Sequence, residues 1–182
     1  GAYGRGNAGD DAILEAIVTE LRQVDPDLPV WVLSRRPKDT RLKYRVNSIY
    51  TFAFPKFLAR MVRTRLYING GGSLLQDVTS YRSLWFYLFT ISAAKILGNK
   101  VLMYGCGIGP IRSEANRARA ARVLQKRVDI ITLRDTHSRE ELWRMEVTHP
   151  EIIQSADPTV ILPAASAEII DGVMESHGMD PH

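Results

Sequence analysis

The sequence predicts an α/β fold built on a doubly wound, mostly parallel sheet, and three observations carry that prediction. Short β-branched runs alternate with segments of helical period. Glycine-rich stretches follow several of those runs. A hydrophobic content of 45% over 182 residues suffices to bury the core of one domain. In chain order, Ile13, Leu14, Ile17, Val18 and Leu21 recur at helical spacing, and Asp25-Pro26 ends that helix. Val30-Trp31-Val32-Leu33 is the first clear strand and Leu66-Tyr67-Ile68 the second. A helix is predicted over residues 83–97, closed by Gly98-Asn99, before the strand Val101-Leu102-Met103-Tyr104. A helix with a heavily basic outer face follows over 116–127, then the strand Ile130-Ile131-Thr132-Leu133, then a helix over 138–145. Repetition of strand, helix, strand implies right-handed crossovers with helices on both faces, which is a Rossmann-like arrangement. That domain is expected to span residues 1–163. Beyond Pro163 an Ala, Ser, Glu and Gly mixture over 164–182 reads as a linker or the start of a further unit, so the chain reads as one lobe of a larger protein.

Bulk chemistry narrows the function classes. A net charge of +4 and a pI of about 9.3 favour anionic partners without the concentrated basic stripe of a nucleic-acid binder. Cys106 is the only cysteine, which excludes an internal disulfide or a cysteine zinc site and suits a reducing, cytoplasmic setting. His137, His149, His177 and His182 lack metal-ligand spacing, and no metal or cofactor is predicted. The longest apolar tract, residues 84–94, stops at Lys95 and is shorter than the roughly 20 residues of a membrane span, so it reads as a buried helix. The chain opens at Gly1-Ala2-Tyr3 without a methionine, which leaves room for an upstream strand or leader. Residues 56–65 form a basic amphipathic stretch with Phe57, Leu58 and Met61 among cations. It reads either as a solvated helix face or as a contact with an anionic lipid surface.

In doubly wound sheets, ligands gather beyond the carboxyl ends of the strands where the strand order reverses. Asn69-Gly70-Gly71-Gly72-Ser73, Gly105-Cys106-Gly107-Ile108-Gly109-Pro110 and Arg134-Asp135 each follow a predicted strand, and Gly4-Arg5-Gly6-Asn7-Ala8-Gly9-Asp10 would follow a strand before Gly1. One shared cleft is the consequence. Gly70, Gly71 and Gly72 with Ser73 allow successive backbone N–H groups to converge on an anion, although a tight strand-to-helix turn uses the same residues. The glycines at 4, 6 and 9 have dinucleotide-loop spacing, but Asp10 and Asp11 follow where a pyrophosphate would be repelled. One of these aspartates is expected to cap a helix while Asp10 acts as general base toward a hydroxyl. Arg134 offers bidentate recognition of a carboxylate or phosphate, with an ion pair to Asp135 as the structural alternative. Arg82, in the polar stretch after Gln76-Asp77, is a further anion contact or a solvated surface arginine. Ser138 followed by Glu140 and Glu141 reads as a helix cap, and Cys106 as packing.

Together, Gly4-x-Gly6-Asn7-x-Gly9-Asp10, Asn69-Gly70-Gly71-Gly72-Ser73-Leu74-Leu75-Gln76-Asp77, Gly107-Ile108-Gly109-Pro110, Leu133-Arg134-Asp135 and Ala156-Asp157-Pro158 resemble the polysaccharide pyruvyltransferase family, the CsaB type of bacterial cell-wall enzyme most of all. The resemblance runs along nearly the whole chain. It implies the amino-terminal lobe of a two-lobed GT-B-like enzyme that moves the enolpyruvyl unit of phosphoenolpyruvate onto two sugar hydroxyls as a cyclic ketal. It further implies Asp10 as base, with Asn7, Gly70, Gly71, Gly72, Ser73, Arg82 and Arg134 as substrate-binding residues and no cofactor. The expected partners are phosphoenolpyruvate, a lipid-linked saccharide acceptor at the inner membrane face and the protein's own carboxyl-terminal lobe, which is expected to hold the general acid; the isolated lobe is expected to be inactive. A GT-B glycosyltransferase using a nucleotide sugar and a non-catalytic anion-binding module stand as the alternatives.

Overall fold

The computed structural model describes residues 1–78 and 80–179; Thr79 and residues 180–182, including His182, lie outside the described residues. The elements run α1 (Ala8–Val24), β1 (Trp31–Ser34), α2 (Pro37–Tyr44), β2 (Asn47–Tyr50), α3 (Phe54–Met61), β3 (Leu66–Leu75), α4 (Tyr81–Ile96), β4 (Lys100–Ile108), α5 (Glu114–Arg127), β5 (Ile130–Leu133), α6 (Thr136–Arg144), β6 (Glu151–Gln154), a 3-10 turn (Pro158–Ile161) and α7 (Ala167–Ser176). All recorded strand pairs are parallel. β1 pairs with β2, and β3, β4, β5 and β6 follow one another in that order in a second sheet flanked by helices, so the Rossmann-like α/β prediction holds.

Helix α1 joins the two sheets. Its stripe splits in two: Leu14 and Val18 pack with Val32 and Val46 of the β1–β2 layer, while Ile13 and Ile17 press on β3. The larger core lies around β3, β4 and β5, where Leu75, Met103, Ile131 and Leu133 meet Leu84 and Ile91 of α4, Leu124 of α5 and Leu142 of α6. Full burial of such side chains contributes roughly 1.5–3 kcal/mol each, so this layer holds most of the domain together.

Several elements differ from the sequence reading, each for a backbone reason. The glycine run is not a loop after a short strand: β3 continues through it, with Gly70 opposite Tyr104, Gly72 opposite Cys106 and Ser73 opposite Gly107. A strand persists wherever a neighbour's backbone pairs with it, whatever the side chains. Strand β4 likewise runs on through Gly105-Cys106-Gly107. Helix α4 begins at Tyr81, two residues before the predicted start. Helix α6 is capped by Asp135, whose carboxylate accepts from Ser138 N at 2.7 Å; the buried Ser138 hydroxyl instead accepts from Ile108 N at 2.8 Å and ties α6 to β4. Within each sheet the strands lie in chain order, so the expected reversal is not found inside a hydrogen-bonded sheet. The break falls between the β1–β2 pair and β3, under α1.

Candidate active site

The carboxyl end of β3 forms the floor of a cleft of about 410 Å³ lined by Asn7, Gly9, Asp10 and Ile13 of the first loop and helix, Gly72 to Leu74 and Gln76 of β3 and its exit, Ser83 and Tyr87 of α4, and Arg134. The first glycine segment reaches the cleft because it rests on the end of β1. Arg35 N donates to Tyr3 O at 3.0 Å, and Gly4, at φ +74°, sits where a Cβ would be 2.3 Å from Ser34 Oγ. Only glycine fits that approach.

Helix α1 is capped by neither aspartate. Asn7 Oδ1 accepts from Gly9 N at 2.9 Å and Asp10 N at 3.3 Å, which satisfies two of the donors that a helix start leaves open. Those amides are therefore engaged within the chain, and the two acids are free to diverge. Asp11 lies 3.6 Å from Lys43 Nζ on α2, whereas Asp10 lines the cleft with Oδ1 accepting from Ala2 N at 3.1 Å.

The three glycines of β3 have separate duties. A Cβ on Gly70 would sit 2.2 Å from Ile17 Cδ1, and one on Gly71 2.2 Å from Ile13 Cγ2, so both exist to let α1 lie directly on the strand. The Cys106 thiol donates to Asn69 O at 3.2 Å, and burial pushes it up to about 12, which makes Cys106 a packing group. Gly72, at φ +75°, is different: its nearest neighbours would be Leu74 Cδ2 and, at 3.9 Å, Asp10 Oδ1. It forms open floor beside the carboxylate.

Ser73 carries the line on to Arg134. The Arg134 Nη2 donates to Ser73 Oγ at 3.0 Å, Nη1 donates to Asp157 Oδ2 at 2.9 Å, and Nε lies 3.7 Å from Asp135 Oδ2. Gly107 leaves room for this guanidinium, since a Cβ there would be 3.3 Å from Arg134 Nε and 3.0 Å from Ser73 Oγ. Burial alone would raise the Asp157 carboxyl, but Thr159 N–H and hydroxyl and the Arg134 guanidinium outweigh it and hold it below the usual 3.8. Both readings of Arg134 are thus present in one residue: it is ion-paired, and it borders the cleft.

Arg82 is not among the cleft residues. It lies exposed in the first turn of α4, with its guanidinium 6.0 Å from the Tyr81 ring centroid, while Ser83 and Tyr87, four apart on the same helix face, take the inner position. Sequence reading assigned neither of these two: Tyr87 sits in the tract read as buried helix, and Ser83 opens the helix predicted over 83–97. Burial, with the Asp10 carboxylate as second cause, raises the Tyr87 hydroxyl far above its ordinary value, so it stays protonated. Asp157 was legible only as part of Ala156-Asp157-Pro158. Its role as the Arg134 clamp needed the fold.

At the far rim, Asp77 accepts from Arg112 N at 2.8 Å, Ser113 N at 3.1 Å and Asn116 Nδ2 at 3.0 Å, which fixes the exit of β3 to the start of α5. Among the described residues no cluster of His, Cys, Asp and Glu is arranged to hold a metal ion. A carboxylate and a guanidinium thus border one cleft, joined by an open glycine and a serine hydroxyl. Such a set is suited to take a proton from a hydroxyl and to bind an anion.

Neither a curated protein nor a solved structure matches the chain. The family model for polysaccharide pyruvyl transferase matches residues 7–179, a span that takes in every cleft residue named above, and the chain belongs to that family.

Proposed function

We propose that this chain binds phosphoenolpyruvate in the β3 cleft and transfers its enolpyruvyl group, as a ketal, to a sugar of a cell-wall or exopolysaccharide precursor. The observation that carries the reading is the continuous line Asp10, Gly72, Ser73, Arg134 across the floor of one cleft. Phosphoenolpyruvate brings a carboxylate and a phosphate. Arg134 and the Ser73 hydroxyl serve one of these anions, and Asn7 with the Gly72 backbone serves the bound molecule from the other side. Gly70 and Gly71 act indirectly, by seating α1 and so setting where Asp10 stands.

One sugar hydroxyl gives its proton to Asp10 as its oxygen bonds to C2 of the enol, and C3 gains a proton and becomes a methyl group. A second sugar hydroxyl then bonds to C2 and passes its proton to the departing phosphate, as the C2–O bond to phosphate breaks and phosphate leaves with the bonding pair. Asp10 Oδ1 is held by Ala2 N, which orients the carboxylate for the first step. We assign the C3 proton donor to a carboxyl-terminal lobe, to which residues 164–182 would lead from the lobe at 1–163; the chain by itself is then expected to bind without turning over. Arg82 is left with a surface role.

Calorimetric titration of the chain with phosphoenolpyruvate tests the binding half, with Arg134→Lys expected to weaken affinity about tenfold through loss of the planar fork. Phosphate release by the complete protein from phosphoenolpyruvate and a lipid-linked saccharide tests the transfer. Saturable uptake of a nucleotide sugar without any response to phosphoenolpyruvate would turn the reading to glycosyl transfer.

A further inference from the structure

Helix α4 carries large apolar side chains on an outer face as well as on its inner one. Leu84, Leu88 and Ile91 face the core, yet Trp85, Phe89 and Ile96 form a stripe on the opposite side. A helix on the surface of a water-soluble domain ordinarily turns polar residues outward. Here Phe89 instead meets Phe54 of α3 at 5.5 Å between ring centroids, Phe54 meets Phe52 at 6.2 Å, and Leu58 lies one helical turn beyond Phe54. These six side chains are 37 to 65% exposed and build one apolar face over α3 and α4.

Cations surround that face. The guanidinium of Arg35 lies 4.2 Å from the Phe52 ring centroid, that of Arg119 lies 3.9 Å from Trp85, and that of Arg60 lies 3.8 Å from Trp31. A guanidinium over a ring face can still direct N–H donors outward to phosphodiester oxygens. Lys56 and Arg63 add exposed charge on and just beyond α3. From residue 40 to residue 113 the sequence has eleven Lys and Arg and one acid, Asp77, whose carboxylate is bound by Arg112 N, Ser113 N and Asn116. Elements β2, α3, β3 and α4 therefore carry no carboxylate at all.

We infer that the outer face of α3 and α4 docks on an anionic lipid bilayer, with Phe52, Phe54, Trp85 and Phe89 entering the headgroup boundary and Lys56, Arg60 and Arg63 pairing with lipid phosphates. Aromatic side chains ringed by cations, without acids, have the chemistry of an interfacial surface. No helix among the described residues is long and apolar enough to cross a membrane, so the contact is peripheral. The face also adjoins the cleft: Phe86 meets Phe52 at 6.0 Å and Tyr87, a cleft residue, at 5.5 Å. A substrate carried on a lipid would thus arrive beside the cleft mouth. That consequence rests on the transfer proposed above, whereas the docking does not.

Co-sedimentation of the chain with vesicles of equimolar phosphatidylglycerol and phosphatidylcholine tests the inference, against vesicles of phosphatidylcholine alone. Binding is expected to the anionic vesicles, falling about tenfold or more in Phe54→Ser/Phe89→Ser and in Lys56→Glu/Arg63→Glu. Circular dichroism reports whether each variant folds, and the charge variant alters only exposed residues, so it keeps the test decisive if the aromatic variant unfolds. Absence of binding to anionic vesicles, or binding undiminished in a folded variant, overturns the inference. So does a dimer in sedimentation equilibrium that Phe54→Ser/Phe89→Ser dissolves, because the face would then belong to a second copy. Loss of vesicle binding with phosphoenolpyruvate affinity unchanged separates this surface from the cleft.

Discussion

The two glycine segments face one another across the cleft and use the same residue in opposite ways. Around Gly4 to Asp10, glycine lets a loop fold onto the end of β1 and deliver a carboxylate; its helix amides are already held by Asn7. In β3, Gly70 and Gly71 give up side chains so that another element can lie on the strand, and only Gly72 opens to the cleft. The first segment brings a carboxylate to the cleft and the second makes room for a helix. A glycine-rich run is therefore evidence of close approach, and the approaching group is as readily the protein's own helix as a ligand.

Four single substitutions and a change of pH probe that division, in descending order of expected effect. Asp10→Asn keeps an acceptor for Ala2 N but removes the base, so turnover of the complete protein should fall by roughly 10²–10⁴, with phosphoenolpyruvate affinity and melting temperature little changed; undiminished turnover would remove chemistry from the first segment. Gly71→Ala should cost about 2–3 kcal/mol in denaturant unfolding, because φ is +56° and the new methyl meets Ile13 Cγ2, which cannot swing aside without a χ1 change. Gly70→Ala meets the terminal Cδ1 of Ile17 at 2.2 Å and the Tyr3 hydroxyl at 3.0 Å, and adding Ile17→Val, which deletes the first of these atoms, should recover part of the stability in a double-mutant cycle. If both alanine variants are neutral, the contact role of β3 fails. Asn7→Ala should cost about 1 kcal/mol through loss of the cap, read from thermal melting.

The smallest expected effect concerns pH. The Asp157 and Asp77 carboxyls are buried in part, which opposes ionisation, but hydrogen bonds from Thr159 and Arg134 and from Asn116, Arg112 and Ser113 hold both below 3.8 in the folded chain. Their stabilisation is therefore complete above the unfolded value near 3.8 and is lost as pH falls through the lower folded values. Asp157→Asn should be less stable than the parent at neutral pH, and that gap should narrow on acidification. A constant gap would show that the Arg134 clamp contributes no charge linkage.

Where side-chain pattern alone decides structure, the sequence was readable. Ile130–Leu133 forms the strand its four residues predict, and the stripe from Ile13 to Leu21 lies on α1 as spaced. Strands β2 and β6 escaped notice because Asn47-Ser48 and the exposed Glu151 and Gln154 dilute their apolar pattern, and their pairing comes from β1 and β5. The extent of β3 was hidden for the same reason: its partner β4 is some thirty residues away. Of the residues proposed for the site, Asn7, Asp10, Gly72, Ser73 and Arg134 come together. Arg82 does not, since moving the start of α4 to Tyr81 rotates it onto an outer face.

The seat of α1 has one more consequence. The two sheets share no recorded backbone ladder, so the spacing between the wall that carries Asp10 and the wall that carries Arg134 follows from how deeply Ile13 and Ile17 settle onto Gly71 and Gly70. Two aliphatic side chains and two absent ones act as a gauge block: one carbon added at either glycine lifts the helix and widens the jaw. The size of molecule the cleft accepts is in that sense written largely in Ile17, Gly70 and Gly71, none of which lines it.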